Sequence, residues 1–227
     1  MKVALSIAGS DSGAGAGIQA DLKTFSALGV YGCTAITAIT AQNTRNVAEI
    51  FGISPSIVEQ QIKSVMMDMR PSAIKVGMVY STPIIDAVYR SVKKKSKIPI
   101  VLDPILAAGT GAKLLLTEAY QSLVSKLIPS STLITPNRME AEKLADIMIK
   151  TENDAIEAAK KIKKLGADNV IVKGGHFESA YVTDLLLDSK GDINKFTNPR
   201  LEIKGIHGSG CNFSSAVTAY LAKGMAL

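Results

Sequence analysis

Short apolar runs that stop abruptly in polar or glycine-rich clusters alternate with helical patterns along this chain, and nothing else in the sequence limits the fold as strongly. Residues 3–8 read as a buried strand, followed by a Gly- and Ser-rich loop and a helix over 16–28 that Gly29 ends. Residues 33–40 are β-branched and apolar, a second strand. Ser54 and Pro55 suit an N-cap and a first helical position. Val58, Ile62, Val65 and Met69 then follow at helical spacing until Pro71. Strands over 73–76 and 98–102 bracket a helix over 82–94. Leu116, Tyr120, Leu123, Val124 and Leu127 mark another helix. Strands are expected at 132–134, 170–172 and 182–187, with helices over 138–149 and 153–165 between the first two, and a small-residue helix over 212–223. This alternation predicts right-handed crossovers and a mostly parallel sheet with helices on both faces, a three-layer α/β/α domain spanning 1–227. The strands after Lys173 lack a full helix between them, which predicts an antiparallel edge.

A chain of 227 residues can bury roughly 70–75% of its unfolded surface and needs no covalent staple. With 47% apolar and 20% charged residues, disorder is excluded as the main state. Cys33 and Cys211 are too few for a disulfide framework or a four-ligand zinc site, and His176 and His207 too few for a His-rich metal site. The net charge is +6, yet aromatics make up 5% and Trp is absent, so a base-stacking platform is poorly supplied and no nucleic-acid partner is expected. The run Lys93-Lys94-Lys95-Ser96-Lys97 reads as a solvated helix end. No apolar stretch reaches the roughly 18 residues a membrane span requires. The apolar run at residues 3–8 is too short for a secretion signal and meets Asp11, so a cytoplasmic location is expected.

In an open α/β sheet, ligands bind at the carboxyl ends of the strands. Polar clusters fall there five times: Gly9-Ser10-Asp11-Ser12, Gln42-Asn43, Asp103-Pro104, Pro136-Asn137 and Lys173-Gly174-Gly175. Gly13-Ala14-Gly15-Ala16-Gly17 can be a flexible turn or a place of close backbone approach to a ligand; Ile18 breaks the dinucleotide fingerprint, and no P-loop occurs. His207-Gly208-Ser209-Gly210-Cys211 precedes a helix, where free amides and the helix dipole make an anion site, although an ordinary loop reads the same way. Cys211 can be a small core residue, or a thiol whose pKa the helix N-terminus lowers. Asp103, Asn137 and Glu140 are oxygen donors of the kind Mg²⁺ accepts, while Asn137 and Glu140 also suit an N-cap and its third residue. Lys173 is either a phosphate partner or an exposed strand-end lysine.

Taken together these segments resemble the hydroxymethylpyrimidine/phosphomethylpyrimidine kinases of thiamin synthesis, in the ribokinase-like superfamily. Gly9-Ser10-Asp11-Ser12 with residues 15–23 is similar to the family's opening signature. Thr40-Ala41-Gln42-Asn43-Thr44, Lys75-Val76-Gly77-Met78, Asp103-Pro104, Thr135-Pro136-Asn137 with Glu140-Ala141-Glu142, and Val172-Lys173-Gly174-Gly175-His176 follow in family order, and the Cys-ended glycine loop closes the set. The resemblance runs from residue 3 to about 223. It implies a ribokinase-like fold and an ATP- and Mg²⁺-dependent kinase that phosphorylates 4-amino-5-hydroxymethyl-2-methylpyrimidine and then the monophosphate. Gln42, Asp21, Gly9 and Met78 would line the pyrimidine pocket. Gly208, Ser209, Gly210 and Cys211 would face the transferring phosphoryl group. Lys173, Asn137 and Gly208 would serve the nucleotide, and Asp103, Asn137 and Glu140 the metal. Relatives in the wider superfamily carry an Asp base where Cys211 stands, so Cys211 would either take the substrate proton or position the hydroxymethyl group. The family also implies a homodimer.

The chain departs from the family's pattern at three places. Gly205-Ile206 replaces Asn-Thr and leaves the anion loop to its backbone amides; Ala14 stands in a stretch richer in Gly and Ser. The sequence stops at Met225-Ala226-Leu227, short of the one or two helices with which the resemblance implies the fold closes; the domain is then either naturally short or a piece of a longer polypeptide, and weaker ATP binding and lower stability are the expected consequences. The competing readings are a pyridoxal kinase, whose substrate also carries a hydroxymethyl group on a flat ring, and a non-catalytic pyrimidine-binding module.

Overall fold

In the computed structural model, which describes residues 1–93, 98–174, 180–201 and 208–227, the strands join one sheet. They are β1 (Val3–Asp11), β2 (Tyr31–Gln42), β3 (Val47–Gly52), β4 (Ala73–Val76), β5 (Ile100–Leu102), β6 (Leu133–Ile134), β7 (Asn169–Val172), β8 (Tyr181–Leu187) and β9 (Ile193–Pro199). The order is β3-β2-β1-β4-β5-β6-β7-β8-β9. β2, β1, β4, β5, β6 and β7 run parallel, while β3 at one edge and β8 and β9 at the other are antiparallel. The antiparallel edge expected after Lys173 is therefore present. A second one, β3, carries no apolar run to announce it: Ala48, Glu49 and Phe51 are exposed. β9 is exposed along its whole length, which hid it in the same way.

Alternation along the strands sorts the two faces. Leu5, Ile7, Ile74, Val76, Leu102, Ile134, Val170 and Val172 point into the larger core. That core is shared with α2 (Pro55–Asp68), α3 (Thr82–Val92), α4 (Tyr120–Ser122), α5 (Arg138–Ala145) and α6 (Glu152–Lys164). The opposite face carries Ala4, Ala73, Val101, Leu133 and Ile171 and is covered by α1 (Gly17–Ala27) and α7 (Ser209–Ala222). Alanines at 4, 73, 219 and 222 let α7 lie close to the sheet. The result is three layers, α/β/α.

Several boundaries move from the sequence expectation for local reasons. β2 extends to Gln42, so that side chain is the last of a strand and not part of a loop. The segment around Leu116–Leu127 is helical but irregular, passing from a 3-10 turn through α4 into a π turn, with Pro129 in its last turn. α5 ends at Ala145 because Asp146 takes a left-handed conformation, φ 50°. Lys93 closes α3, but Lys94, Lys95, Ser96 and Lys97 lie outside the described residues. Among the described residues no helix is long and apolar enough to cross a membrane.

Candidate active site

The carboxyl ends of the parallel strands surround one cavity of about 480 Å³, within the usual range for a small-molecule site. Gln42, Thr40, Gly9, Ser10 and Met78 line it from β2, β1 and the loop after β4; Asp103, Asn137, Glu140 and Lys173 line it from β5, β6 and β7. Gly208, Ser209, Gly210 and Cys211 reach it from the start of α7. The two places that the sequence links to ring recognition and to an anion thus open into the same hollow.

The start of α7 is bare. Gly208 is its N-cap with no side-chain cap, and the amides of Ser209, Gly210 and Cys211 find no acceptor among the described residues. Such amides, with the helix dipole behind them, attract an anion. Gly208 has φ 81°, and a Cβ on it would lie 1.8 Å from the Gly15 carbonyl oxygen. Gly17, at φ 59°, would clash with the Gly9 carbonyl oxygen at 2.3 Å. These glycines therefore let the loop after β1 lock against α7. The glycine loop is not itself an anion cradle: the Asp11 carboxylate accepts from the amides of Gly13 (2.8 Å), Gly15 (3.0 Å) and Ala16 (2.8 Å). The Gly17 amide reaches the Cys211 sulfur.

Lys173 is no exposed strand-end lysine. Its ammonium pairs with Asp103 Oδ1 at 3.1 Å, and its side chain is 13% exposed. Thr135 Oγ1 donates to Asp103 Oδ1 and Ser214 Oγ to Asp103 Oδ2. Burial works against the Lys173 charge, but Asp103 and Glu140 outweigh it and hold the ammonium above its ordinary pKa. Glu140 is pushed up to about 7, first by burial and then by the Asp103 charge, against the pull of Lys173 and the amides of Asn137 and Leu106. Asn137 and Glu140 form a reciprocal capping box: the Asn137 side chain accepts from the Glu140 amide at 2.9 Å, and the Glu140 carboxylate from the Asn137 amide at 2.8 Å. Both line the cavity as well, so capping does not remove them from the site.

Two expectations need correction. Asp21 does not line the cavity; it is fully buried between sheet and helix, paired with Lys75 at 2.7 Å and accepting from Ser6 and Ser215. Nor is the Cys211 thiol lowered. Burial pushes it up to about 11, with Asp103 and Asp21 adding, and Lys75 and the Gly17 amide only partly offset this. For a side chain this enclosed, desolvation outweighs the pull of the helix start.

Gly9 faces Met78, where an added Cβ would meet the sulfur at 2.8 Å, and Met78 offers the cavity an apolar wall beside Leu114 and Ile105. The Gln42 side-chain oxygen accepts from Thr40 Oγ1 at 3.2 Å, and its backbone is tied to Ser12 in both directions. Asp184 on β8 also lines the cavity and accepts from the Gly174 amide at 2.9 Å; a carboxylate inside an apolar strand was its only sequence signal. Gly175, His176, Gly205, Ile206 and His207 lie outside the described residues.

Unpartnered amides beside a lysine, at the strand ends of an α/β sheet, suit the handling of a phosphoryl group, and solved structures that share this fold are small-molecule kinases. A phosphomethylpyrimidine kinase from Clostridium difficile 630 superposes with TM-score 0.87 at 40% identity, covering 100% of this chain and 93% of that one. The pyridoxal kinase from Staphylococcus aureus in complex with AMP-PCP and pyridoxal gives 0.88 at 32% identity, covering 100% and 82%. The chain belongs to the phosphomethylpyrimidine kinase family, whose model matches residues 11–227. The hydroxymethylpyrimidine/phosphomethylpyrimidine kinase of Bacillus subtilis (strain 168) is 45% identical over 222 residues, 97% of this chain and 82% of that one. The ribokinase-like fold expected from the motifs is the fold found.

Proposed function

We propose that this chain transfers the γ-phosphoryl group of ATP to the hydroxymethyl oxygen of 4-amino-5-hydroxymethyl-2-methylpyrimidine, and then phosphorylates the monophosphate, in thiamin biosynthesis. One observation carries the reading: Gln42 and the bare amides of Ser209 to Cys211 line a single cavity. An amide side chain offers a donor and an acceptor, matching a ring nitrogen beside an exocyclic amine. Met78 and Leu114 cover an apolar ring face. The amides at the start of α7 stabilise charge on the phosphoryl oxygens in the transition state, and the Lys173 ammonium neutralises nucleotide phosphate.

Asp103 and Glu140 place two carboxylates near one lysine, and the Glu140 pKa is raised first by burial and then by the Asp103 charge, which the lysine does not cancel. Hard oxygen donors with surplus negative charge fit Mg²⁺. No group of three or more His, Cys, Asp or Glu side chains among the described residues could hold a metal directly, so Asp103, Asn137 and Glu140 would hold the ion mostly through water. Mg²⁺ would supply charge neutralisation at the phosphates. A thiol at about 11 stays protonated at neutral pH, so Cys211 orients the acceptor hydroxyl and does not remove its proton. A loose phosphoryl transition state needs little base assistance, which is consistent with that role. The homodimer and the cytoplasmic location belong to the same reading.

The direct test is ADP release from ATP and Mg²⁺ on adding the pyrimidine; no turnover by folded protein would sink the proposal. Gln42→Ala should weaken pyrimidine binding by about 1–3 kcal/mol, because paired hydrogen bonds are lost, and calorimetry that finds the Kd unchanged would remove Gln42 from the pocket. The pyridoxal kinase neighbour motivates the rival substrate. A kcat/KM for pyridoxal above that for the pyrimidine would favour it.

A further inference from the structure

Below the cavity, on the face covered by α1 and α7, lies an ion pair that the transfer chemistry leaves unused. Lys75 on β4 and Asp21 on α1 are both 0% exposed. Asp21 Oδ1 accepts from the Lys75 ammonium at 2.7 Å and from Ser215 Oγ on α7 at 2.6 Å; Oδ2 accepts from Ser6 on β1. One carboxylate thus ties α1, α7 and two central strands together. The ammonium has three donors, yet Asp21 is its one acceptor among the described residues. Gly77 keeps open the space beside it, since a Cβ there would approach the nitrogen to 3.3 Å. Lys75 is also the strongest charge acting on the Cys211 thiol, ahead of Asp103 and Asp21. Stability alone does not explain the pair, because well-packed apolar residues often replace a buried ion pair without loss.

We propose that Lys75 is a positioning residue for phosphoryl transfer: clamped by Asp21, whose carboxylate also holds Ser215 one turn beyond Cys211 on α7, its ammonium sets a positive charge on the sheet side of the first turns of that helix, whose amides receive the phosphoryl group. This rests on the kinase reading above. The charge acts on whatever anion those amides hold, without touching it. Asp21 acts one step further back, by fixing the lysine and Ser215.

Lys75→Met alone strands a buried carboxylate and can fail to fold, so the decisive variant is the double change Lys75→Met with Asp21→Asn, which removes both charges at similar size. Replacing both partners of a buried pair at similar volume is often near neutral for stability. In the full chain, the double variant should unfold cooperatively and bind the pyrimidine within about threefold of wild type, while kcat falls about tenfold or more. Iodoacetamide alkylation of Cys211, followed on its peptide by mass spectrometry at pH 8, should slow as the thiolate fraction falls, because Lys75 acts on the thiol more strongly than Asp21 opposes it. An unchanged Cys211 alkylation rate overturns the proposal, as does a kcat within about twofold of wild type. If the wild type itself shows no turnover, the kinase reading fails separately and the alkylation rate alone decides whether Lys75 charges the site.

Discussion

Lys75–Asp21 and Lys173–Asp103 are the two most deeply buried ion pairs among the described residues, and they are built differently. The first is sealed from solvent on both sides, and every Asp21 oxygen is used by the lysine or by a serine. The second is longer, 3.1 Å against 2.7 Å, opens on the cavity, and shares its lysine with a second carboxylate, Glu140. One pair joins helices to the sheet. The other leaves surplus negative charge facing the hollow, beside bare amides that favour the opposite sign of ligand. The open pair thus presents both signs of charge to the hollow, and the sealed pair presents neither. The same residue types are therefore used in two ways: one pair is sealed and can reach a ligand only through its field, while the other is open and can meet a ligand directly.

The largest expected effect comes from opening the sealed pair. Lys75→Met leaves Asp21 buried without its counter-charge and should cost about 3–5 kcal/mol, read as a fall in denaturant midpoint. At the open pair the order reverses, with chemistry suffering more than stability. Lys173→Met should lower kcat by about 10²-fold or more, the scale for loss of one transition-state donor, while the midpoint shifts less than for Lys75→Met. If both variants lose stability equally, the distinction between the pairs is wrong.

A pH measurement sharpens the contrast. Glu140 titrates at about 7 in the folded protein, above its ordinary 4.5. Between those values the native state binds the extra proton, so stability is fullest at low pH and falls as pH rises towards 7. The whole effect is about 3 kcal/mol at most in metal-free protein. Glu140→Gln retains a capping side chain and removes the titration. Its Tm should therefore vary less between pH 5 and pH 7.5 than the wild type does, all else in the buffer being equal. A wild-type Tm with no additional fall over that interval would show that Glu140 is already ionised.

The sheet was legible because its central strands are buried on both faces and appear as apolar runs, so β1, β4, β5 and β7 stand out. β3 and β9 were not, since edge strands carry polar and exposed residues. Within the site, Lys173 follows a strand and Gln42 ends one, and both are placed by the fold alone. Asp21 lies on a helix, and which face of α1 turns to the sheet is decided by how α1 packs between β1, β2 and α7. Lys75 was half legible: a lysine inside Ala73-Ile74-Lys75-Val76 must find a partner, but the sequence does not say that the partner is Asp21. The glycine loop misleads for a related reason. Its amides look available until Asp11, in the same segment, folds back and occupies them.

Cys211 lies between the two pairs and feels both, which makes it the finest probe of the comparison. Lys75 draws its pKa down, while Asp103 from the open pair and Asp21 from the sealed one drive it up, on top of burial. A thiol kept protonated in this way can orient an acceptor hydroxyl but supplies no base. Serine keeps a donor and an acceptor at similar size, so Cys211→Ser should lower kcat only modestly, by under about tenfold. ATP affinity should be unchanged, and kcat should have the same pH profile as the wild type between pH 7 and 9. A general base behaves otherwise: its replacement costs about 10²–10⁴-fold and removes a titrating limb from the profile. Steady-state kinetics of the serine variant across that pH range separate the two roles. A loss of about 10²-fold with a flattened profile would mean that the bound nucleotide and metal lower the thiol pKa enough for Cys211 to act as the base after all.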